Sequence, residues 1–234
     1  NSDTASVVSG LVYGSAATVA SNVGTFAITG SGASATNYDF SYVPGTLTIT
    51  RALLTVTAND ATREYGLADP AFTGSIPGFR NGDTASVISG LTYGSTAVLN
   101  SGIGTYSITG SGATSTNYNF SYVPGTLTIT RALLTVTAND ASREYGLANP
   151  TFTGSISGLR AGDTASVVSG LVYGTTATVA SNVGTFAITA SGGAAANYDF
   201  SYVPGTLTIT RALLTVTAND ATREYGLANP TFTG

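Results

Sequence analysis

Cysteine, methionine, tryptophan, histidine and lysine are all absent from this sequence of 234 residues, in which every basic residue is an arginine. Without cysteine no disulfide can cross-link the chain, and without cysteine or histidine the usual ligands of zinc are missing. Nucleophilic catalysis needs a serine, cysteine or threonine beside a base, and histidine and lysine are the usual bases. We therefore expect no catalytic residue and no cofactor.

Charge is also scarce, because charged residues make up only 9% of the sequence, with 12 acidic and 8 basic side chains. A surface of this kind has no basic field that would attract nucleic acid or anionic lipid. No apolar run reaches the roughly 18 residues that a membrane span requires. The sequence predicts neither a nucleic-acid partner nor insertion into a membrane.

What the sequence does contain is a repeat with a constant offset of 80 residues. Residues 51–130 and 131–210 are two full copies that are identical at 58 of 80 positions and align without insertion or deletion. Residues 1–50 match the later part of a copy, and residues 211–234 match the start of one. The chain is therefore expected to be a linear array of two full and two partial repeats.

The partial repeats allow two interpretations. In the first, the chain is a window cut from a longer array of repeats. In the second, the tail of one chain completes the head of the next, as in donor-strand polymers, because half a β-domain leaves open strand edges that seek a partner.

Alternating threonine and apolar residues predict β-strands throughout a repeat. In "LLTVTA", Leu134, Val136 and Ala138 share one face, which is the pattern of a half-buried strand. Five more strands are predicted in "TFTGSIS", "LVYGTTATV", "GTFAITAS", "NYDFSYV" and "TLTIT". The turn-rich segment "NDASREYGLANP" is predicted to be a loop.

Two shorter segments predict local structure other than strand. "GDTASVVSG" is compatible with a short helix that Asp163 caps and Gly170 ends. Pro204 and Gly205 suit the middle of a type II turn, because the proline presets the first central φ and the glycine accepts the positive second one. The fold class is therefore all-β, with each unit of about 80 residues predicted to be a small immunoglobulin-like β-sandwich. The alternative is a β-grasp-like unit in which "GDTASVVSG" is the crossing helix.

The stretch "TLTITRALLTVTAND" indicates how one repeat joins the next. Its apolar residues Leu47 and Ile49 lie at odd positions, whereas Leu54, Val56 and Ala58 lie at even ones. One strand cannot change parity and keep the same face buried, so the stretch must contain two elements. A short linker without glycine or proline predicts a stiff joint between beads in series. The predicted junction residues are Thr50, Arg51, Ala52, Thr130, Arg131, Ala132, Thr210, Arg211 and Ala212.

One charged cluster, "NDATREYG", recurs in every repeat and is the main candidate for chemistry. Its simplest interpretation is a loop with a contact between Arg63 and a carboxylate. A competing hypothesis is calcium, since Asp60, Glu64 and Asp83 are hard oxygen donors. Against calcium, neither an EF-hand loop nor a GGxGxD repeat is present.

Aromatic residues offer a second kind of candidate site. Tyr38, Phe40 and Tyr42 share one strand face, which is typical of core positions, although a sugar-binding platform would have the same spacing. Three tyrosines that each precede a glycine are the better candidates for exposed rings: Tyr13, Tyr93 and Tyr173.

The repeat resembles the MBG domain of the YGX type, through "ALLTVTANDATREYGLADP", "GLRAGDTASVVSG", "VGTFAIT" and "NYDFSYVPGTLTIT". These motifs span nearly the whole unit, although the family commonly has a Lys-Ala-Pro-like opening where this sequence has Arg51-Ala52-Leu53. The resemblance implies an extracellular bacterial protein, secreted or on the cell surface, with an adhesin-like stalk and no catalytic residues to carry over.

Two functions fit these expectations. The first is a non-catalytic structural segment of an adhesin stalk or surface filament, whose partners are the neighbouring repeats of the same chain. The second is a multivalent binding module, in which many weak copies bind a glycan or another cell-surface ligand, or associate with identical chains in a filament or biofilm.

Overall fold

The computed structural model describes residues 3–234, which form two compact units that divide between Thr130 and Arg131. Strands account for 43% of the chain and helix for only 4%, so the all-β prediction is confirmed. The helical part described consists of three short 3₁₀ turns: Ala5–Val7, Ala85–Val87 and Ala165–Val167. The helix predicted in "GDTASVVSG" is therefore only one turn long.

Seventeen strands are present in the described residues. The partial repeat 1–50 contains β1 (Val12–Ser15), β2 (Gly24–Ser31) and β3 (Gly45–Ile49). The first full repeat contains β4 (Ala52–Ala58), β5 (Ala61–Glu64), β6 (Gly74–Ser75), β7 (Thr92–Ser95), β8 (Gly104–Ser111), β9 (Tyr118–Val123) and β10 (Gly125–Thr130). The second contains β11 (Ala132–Ala138), β12 (Ala141–Glu144), β13 (Gly154–Ser157), β14 (Val172–Thr175), β15 (Gly184–Ser191), β16 (Tyr198–Val203) and β17 (Gly205–Thr210).

Each full repeat folds into two small sheets. In the first full repeat the strand orders are β6-β4-β9 and β5-β10-β8-β7, and in the second they are β13-β11-β16 and β12-β17-β15-β14. In the second repeat the sheets meet in one core, where Ala138 of the three-stranded sheet packs with Ile188, Leu207 and Ile209 of the four-stranded sheet. Each full repeat is thus a two-layer sandwich around its own core.

The first two strands of a full repeat pair with its last two strands and run in the same direction. Residues of β4 pair with β9 from Ala52–Tyr118 to Thr57–Val123, and residues of β5 pair with β10 from Ala61–Leu127 to Glu64–Thr130. In both sheets, each paired residue of β4 or β5 has its partner 66 positions later in the chain. We call the paired segments 52–64 and 118–130 the parallel ribbon, and the second full repeat has the same ribbon in 132–144 and 198–210.

The ribbon passes from one sheet to the other at a kink. Pro124, which has no N–H to donate, is the only residue between β9 and β10. A Cβ on Gly125 would lie 2.6 Å from the carbonyl oxygen of Ala58 and 2.7 Å from that of Asn59, so only glycine fits this crossing. The type II turn predicted at Pro204 and Gly205 is wrong, because Gly205 is not among the glycines with positive φ and belongs to a strand.

The segment predicted to be a loop after the first strand is in fact partly strand. Ala141–Glu144 forms β12 and pairs with β17, and Ala61–Glu64 forms β5 in the same way. Each full repeat therefore has seven strands rather than the six predicted. The sequence did not predict this additional strand, because the segment contains charged residues, which are depleted in strands.

The partial repeats show what the ribbon contributes, because identical sequences occur there without their ribbon partner. "YDFSYV" forms β16 at 198–203, but at 38–43 it forms no strand. The sequence "ALLTVTAND" contains strand β11 at 132–138. The same letters recur at 212–220, but residues 211–234 form no strand at all. Leu134 is completely buried and its counterpart Leu214 is 85% exposed.

Two leucine substitutions in identical local sequence test this dependence. We expect Leu134→Ala to lower the free energy of unfolding of its repeat by about 2–5 kcal/mol, because it leaves a cavity in the core. Leu214→Ala should change the free energy by less than about 0.5 kcal/mol, since that side chain is exposed. Urea denaturation followed by circular dichroism measures both, and equal effects of the two substitutions would contradict the packing described.

Candidate functional site

The recurring arginine of "NDATREYG" is buried in both full repeats and not in an exposed loop. Arg63 and Arg143 are 6% and 7% exposed, and each guanidinium lies among hydrogen-bond acceptors. Arg63 donates to the carboxylate of Asp69 and, at 2.8 Å, to the carbonyl of Val98. Arg143 donates to Asn149 in place of an aspartate, at 2.7 Å. The predicted contact between arginine and carboxylate therefore exists in one copy. In both copies the buried arginine side chain occupies the interior and links β5 or β12 to neighbouring loops by hydrogen bonds.

The three calcium candidates serve different parts of the fold. The Oδ1 atom of Asp60 accepts a hydrogen bond from the backbone N–H of Thr126 at 2.7 Å, beside the kink of the ribbon. Asp83 accepts from the hydroxyl of Tyr118 at 2.8 Å, at the end of the ribbon where β9 begins. Glu64 is exposed on β5. Among the residues that the structure describes, no three acidic, histidine or cysteine side chains come together in a group that could hold a metal ion.

The capping role predicted for Asp163 is wrong. Thr164 occupies the N-cap position of the 3₁₀ turn that follows. The carboxylate of Asp163 instead accepts a hydrogen bond from the hydroxyl of Tyr198, at 2.7 Å. This bond ties the buried tyrosine at the start of β16 to the loop that precedes the turn.

Where the ribbon is complete, the aromatic strand face is buried at its first position and exposed at its last, where Tyr122 and Tyr202 are 39% and 38% exposed. Tyr118 and Tyr198 are 4% and 2% exposed, whereas Tyr38 in the partial repeat is 47% exposed. The tyrosines that precede glycines are partly buried in the full repeats, where Tyr173 packs against the core cluster. Partial burial raises the pKa of Tyr93. Tyr13 is 73% exposed. The expectation of an exposed ring at these positions is thus wrong for the full repeats.

A shallow depression recurs beside the strand that carries these aromatics. In the second full repeat it is lined by Arg131, the loop at 193–196, Asp199 and Phe200. The copy 80 positions earlier has Arg51 and Phe120 but an asparagine, Asn119, in place of the aspartate, and the copy 160 positions earlier has Asp39 and Phe40 but no arginine. The rings of Phe200 and Tyr202 stack with centroids 6.1 Å apart. Arg131 and Asp199 are paired at 3.4 Å on the surface, which contributes little to stability.

The junction residues of the first two joints lie at boundaries between strands. Thr50 and Arg51 separate β3 from β4, and Arg131 alone separates β10 from β11. Thr130, Ala132 and Thr210 are terminal strand residues, and Ala52 is the first residue of β4, whereas Arg211 and Ala212 lie in the segment without strands.

The first junction is fastened by a residue that the sequence did not single out. Asn117 accepts a hydrogen bond from the backbone N–H of Val23 at 3.0 Å, and its side-chain amide donates to Asn22 at 2.8 Å. Its own carbonyl accepts from the N–H of Ala52 at 3.0 Å, while Arg51 donates to the carbonyl of Thr116 at 3.0 Å. Asn117 therefore connects the linker to the preceding repeat. Nothing in the sequence marks it, because it lies far along the chain from the linker.

Tandem repeats of small all-β units, each with its own core, define the class of this protein. The MBG domain (YGX type) profile matches residues 1–48, 54–128 and 134–208, so the chain belongs to this family. This confirms the resemblance seen in the sequence motifs. A comparison with curated proteins found no match.

One solved structure gives a distant match, described as "Bacteroides ovatus mixed-linkage glucan utilization locus (MLGUL) SGBP-B in complex with mixed-linkage heptasaccharide". Its TM-score is 0.18 and its sequence identity is 12%, over 89% of this chain and 59% of that one. The chain thus spans less than two thirds of the length of that protein, and at this similarity the match does not bear on function. No helix among residues 3–234 is long and apolar enough to cross a membrane.

The contribution of the aspartate beside the kink can be tested with a matched control. We expect Asp140→Ala to lower the free energy of unfolding by roughly 1 kcal/mol, because the N–H of Thr206 loses its acceptor. Asp140→Asn should retain part of this stability, since an amide oxygen can still accept. Asp220→Ala, in the same sequence without a ribbon partner, should have no effect on thermal unfolding. A loss of stability from Asp220→Ala as large as that from Asp140→Ala would contradict this role.

Proposed function

We propose that this chain is a non-catalytic segment of an extracellular bacterial stalk or surface filament, in which the repeats act as stiff beads in series and hold an adhesive part away from the cell. The family resemblance supports the extracellular setting and the adhesin-like role. The scarcity of catalytic side chains supports a structural role over an enzymatic one.

The observation that carries this proposal is the first junction. Only Thr50 and Arg51 lie between β3 and β4, so the linker has little freedom of its own. The two hydrogen bonds that Asn117 forms with Asn22 and Val23 restrict it further. At about 1 kcal/mol each, together they favour the bonded orientation by about thirtyfold. A joint held in this way fixes the orientation of one repeat relative to the next.

Pulsed electron spin resonance on the intact chain tests the stiffness of this joint. Spin labels on Thr25→Cys and Thr105→Cys lie at equivalent exposed positions of successive repeats, and the chain has no other cysteine. We expect a narrow distance distribution that Asn117→Ala broadens, because both bonds to the preceding repeat are lost. Asn37→Ala, at the equivalent position of the partial repeat, is the control and should leave the distribution unchanged. A broad distribution in the unsubstituted chain would overturn the stiff joint.

The recurring depression favours a second candidate function, a multivalent module that binds glycans. Half-exposed aromatic rings stack on sugar rings, and an arginine and a carboxylate hydrogen-bond their hydroxyls. The arginine and the carboxylate occur together in the second full repeat, whereas the phenylalanine lines all three copies of the depression, which would add avidity to weak individual contacts.

An array of bacterial and host oligosaccharides tests this second candidate. We expect binding by the intact chain that weakens when Asp199→Ala and Phe200→Ala are introduced, because the depression then loses a hydrogen-bond acceptor and a ring. Leu133→Ala, at an exposed position of β11, is the control. The absence of binding at high protein concentration would remove this function and leave the stalk proposal intact.

A further inference from the structure

Tension along a stalk acts on each repeat through its two ends, and these ends belong to the parallel ribbon. The second full repeat begins with β11 at Ala132 and ends with β17 at Thr210. Because the two segments of the ribbon run in the same direction, the chain enters at one end of the ribbon and leaves at the other. Pulling the ends apart therefore draws the two segments past each other along their length.

We propose that the ribbon is a mechanical clamp that makes each full repeat resist unfolding under tension. Hydrogen bonds between parallel strands run across the strand direction, so sliding one segment past the other strains all of them together. Six residue pairs join β11 to β16 and four join β12 to β17. A pull across the ribbon would instead break these pairs one after another. This inference rests on the stalk function for its purpose, but it concerns a single repeat.

Further bonds fasten the ribbon at its entrance, kink and exit. At the entrance, the N–H of Ala132 donates to the carbonyl of Asn197 at 3.0 Å, and at the kink Asp140 accepts from the N–H of Thr206. At the exit, the N–H of Tyr145 donates to the carbonyl of Thr210 at 2.9 Å. Sliding must therefore break bonds along the whole ribbon and not only at one end.

Each segment of the ribbon is also anchored in the interior of a sheet. β11 lies between β13 and β16, and β17 lies between β12 and β15. The buried guanidinium of Arg143 on β12 adds hydrogen bonds to the carbonyls of Glu144 and Thr178. Neither segment can leave without disrupting a second ladder or the core.

The sequence of the ribbon is nearly identical in the two full repeats, although much of the remainder differs. The 26 ribbon residues differ at two positions, Thr62/Ser142 and Asn119/Asp199, and the other 54 residues differ at twenty. All four of these side chains are exposed. The pattern fits a ribbon that both repeats need in the same form.

Optical tweezers on the full chain test the clamp, with handles on two introduced cysteines. Leu133→Cys and Thr208→Cys lie near opposite ends of the ribbon, so force between them is shear. Ser142→Cys and Thr208→Cys are register partners, so force between them separates the ribbon pair by pair. All three positions are exposed, and the two cysteine pairs enclose nearly the same length of chain. Equal melting temperatures of the two variants will show that both retain the fold.

We expect the mean unfolding force in the shear direction to be at least about twofold higher, because the hydrogen bonds then fail together. Equal forces in the two directions, or a lower force in shear, would overturn the clamp. These outcomes are independent of the joint, since both cysteine pairs lie within one repeat. A broad spin-label distribution would conversely remove the stiff joint and leave the clamp standing.

Discussion

The parallel pairing of the first two strands with the last two is the interaction on which each full repeat depends. Closing a loop of 66 residues costs about 4 kcal/mol of chain entropy, so the pairing must be offset by burial. Leu54, Val56 and Leu127 are completely buried, and each such side chain contributes about 1.5–3 kcal/mol. In residues 211–234, which lack the partner segment, the counterparts of Leu54 and Val56 are exposed, Leu214 at 85% and Val216 at 83%, and no strand forms. In the full repeats, the burial of these side chains therefore depends on both segments of the ribbon.

The ribbon also explains where the few charges and special residues lie. A pair of strands that changes sheet must interrupt its ladder, and the interruption leaves backbone groups without a partner. Pro124 has no N–H to leave unpaired, Gly125 allows the two backbones to approach, and Asp60 accepts the N–H of Thr126. The motif "VPG" and the aspartate of "AND" are thus two sides of one crossing, although 64 residues separate Asp60 from Pro124.

Much of the fold could be predicted from the sequence, but the pairing could not. Alternation with period two located six of the seven strands and the change of parity at Arg51, because it reports which face of a strand is buried. It does not report which strand lies alongside. β5 was missed because Arg63 is charged, although it alternates with Ala61 and its guanidinium finds acceptors inside the fold. Asn117 was missed for a similar reason, since its partners in the preceding repeat follow from tertiary structure alone.

Near-identity of the ribbons raises the question of how a segment finds its own partner. Residues 52–64 fit 198–210 almost as well as 118–130, because the two target segments differ only at Asn119 and Asp199. The offset of the wrong pairing is 146 residues and that of the correct one is 66, which differ in closure entropy by only about 0.7 kcal/mol. So small a preference cannot prevent strand exchange between neighbouring repeats. The order in which repeats become available can prevent it, because a repeat that emerges and folds before the next has no competing segment within reach.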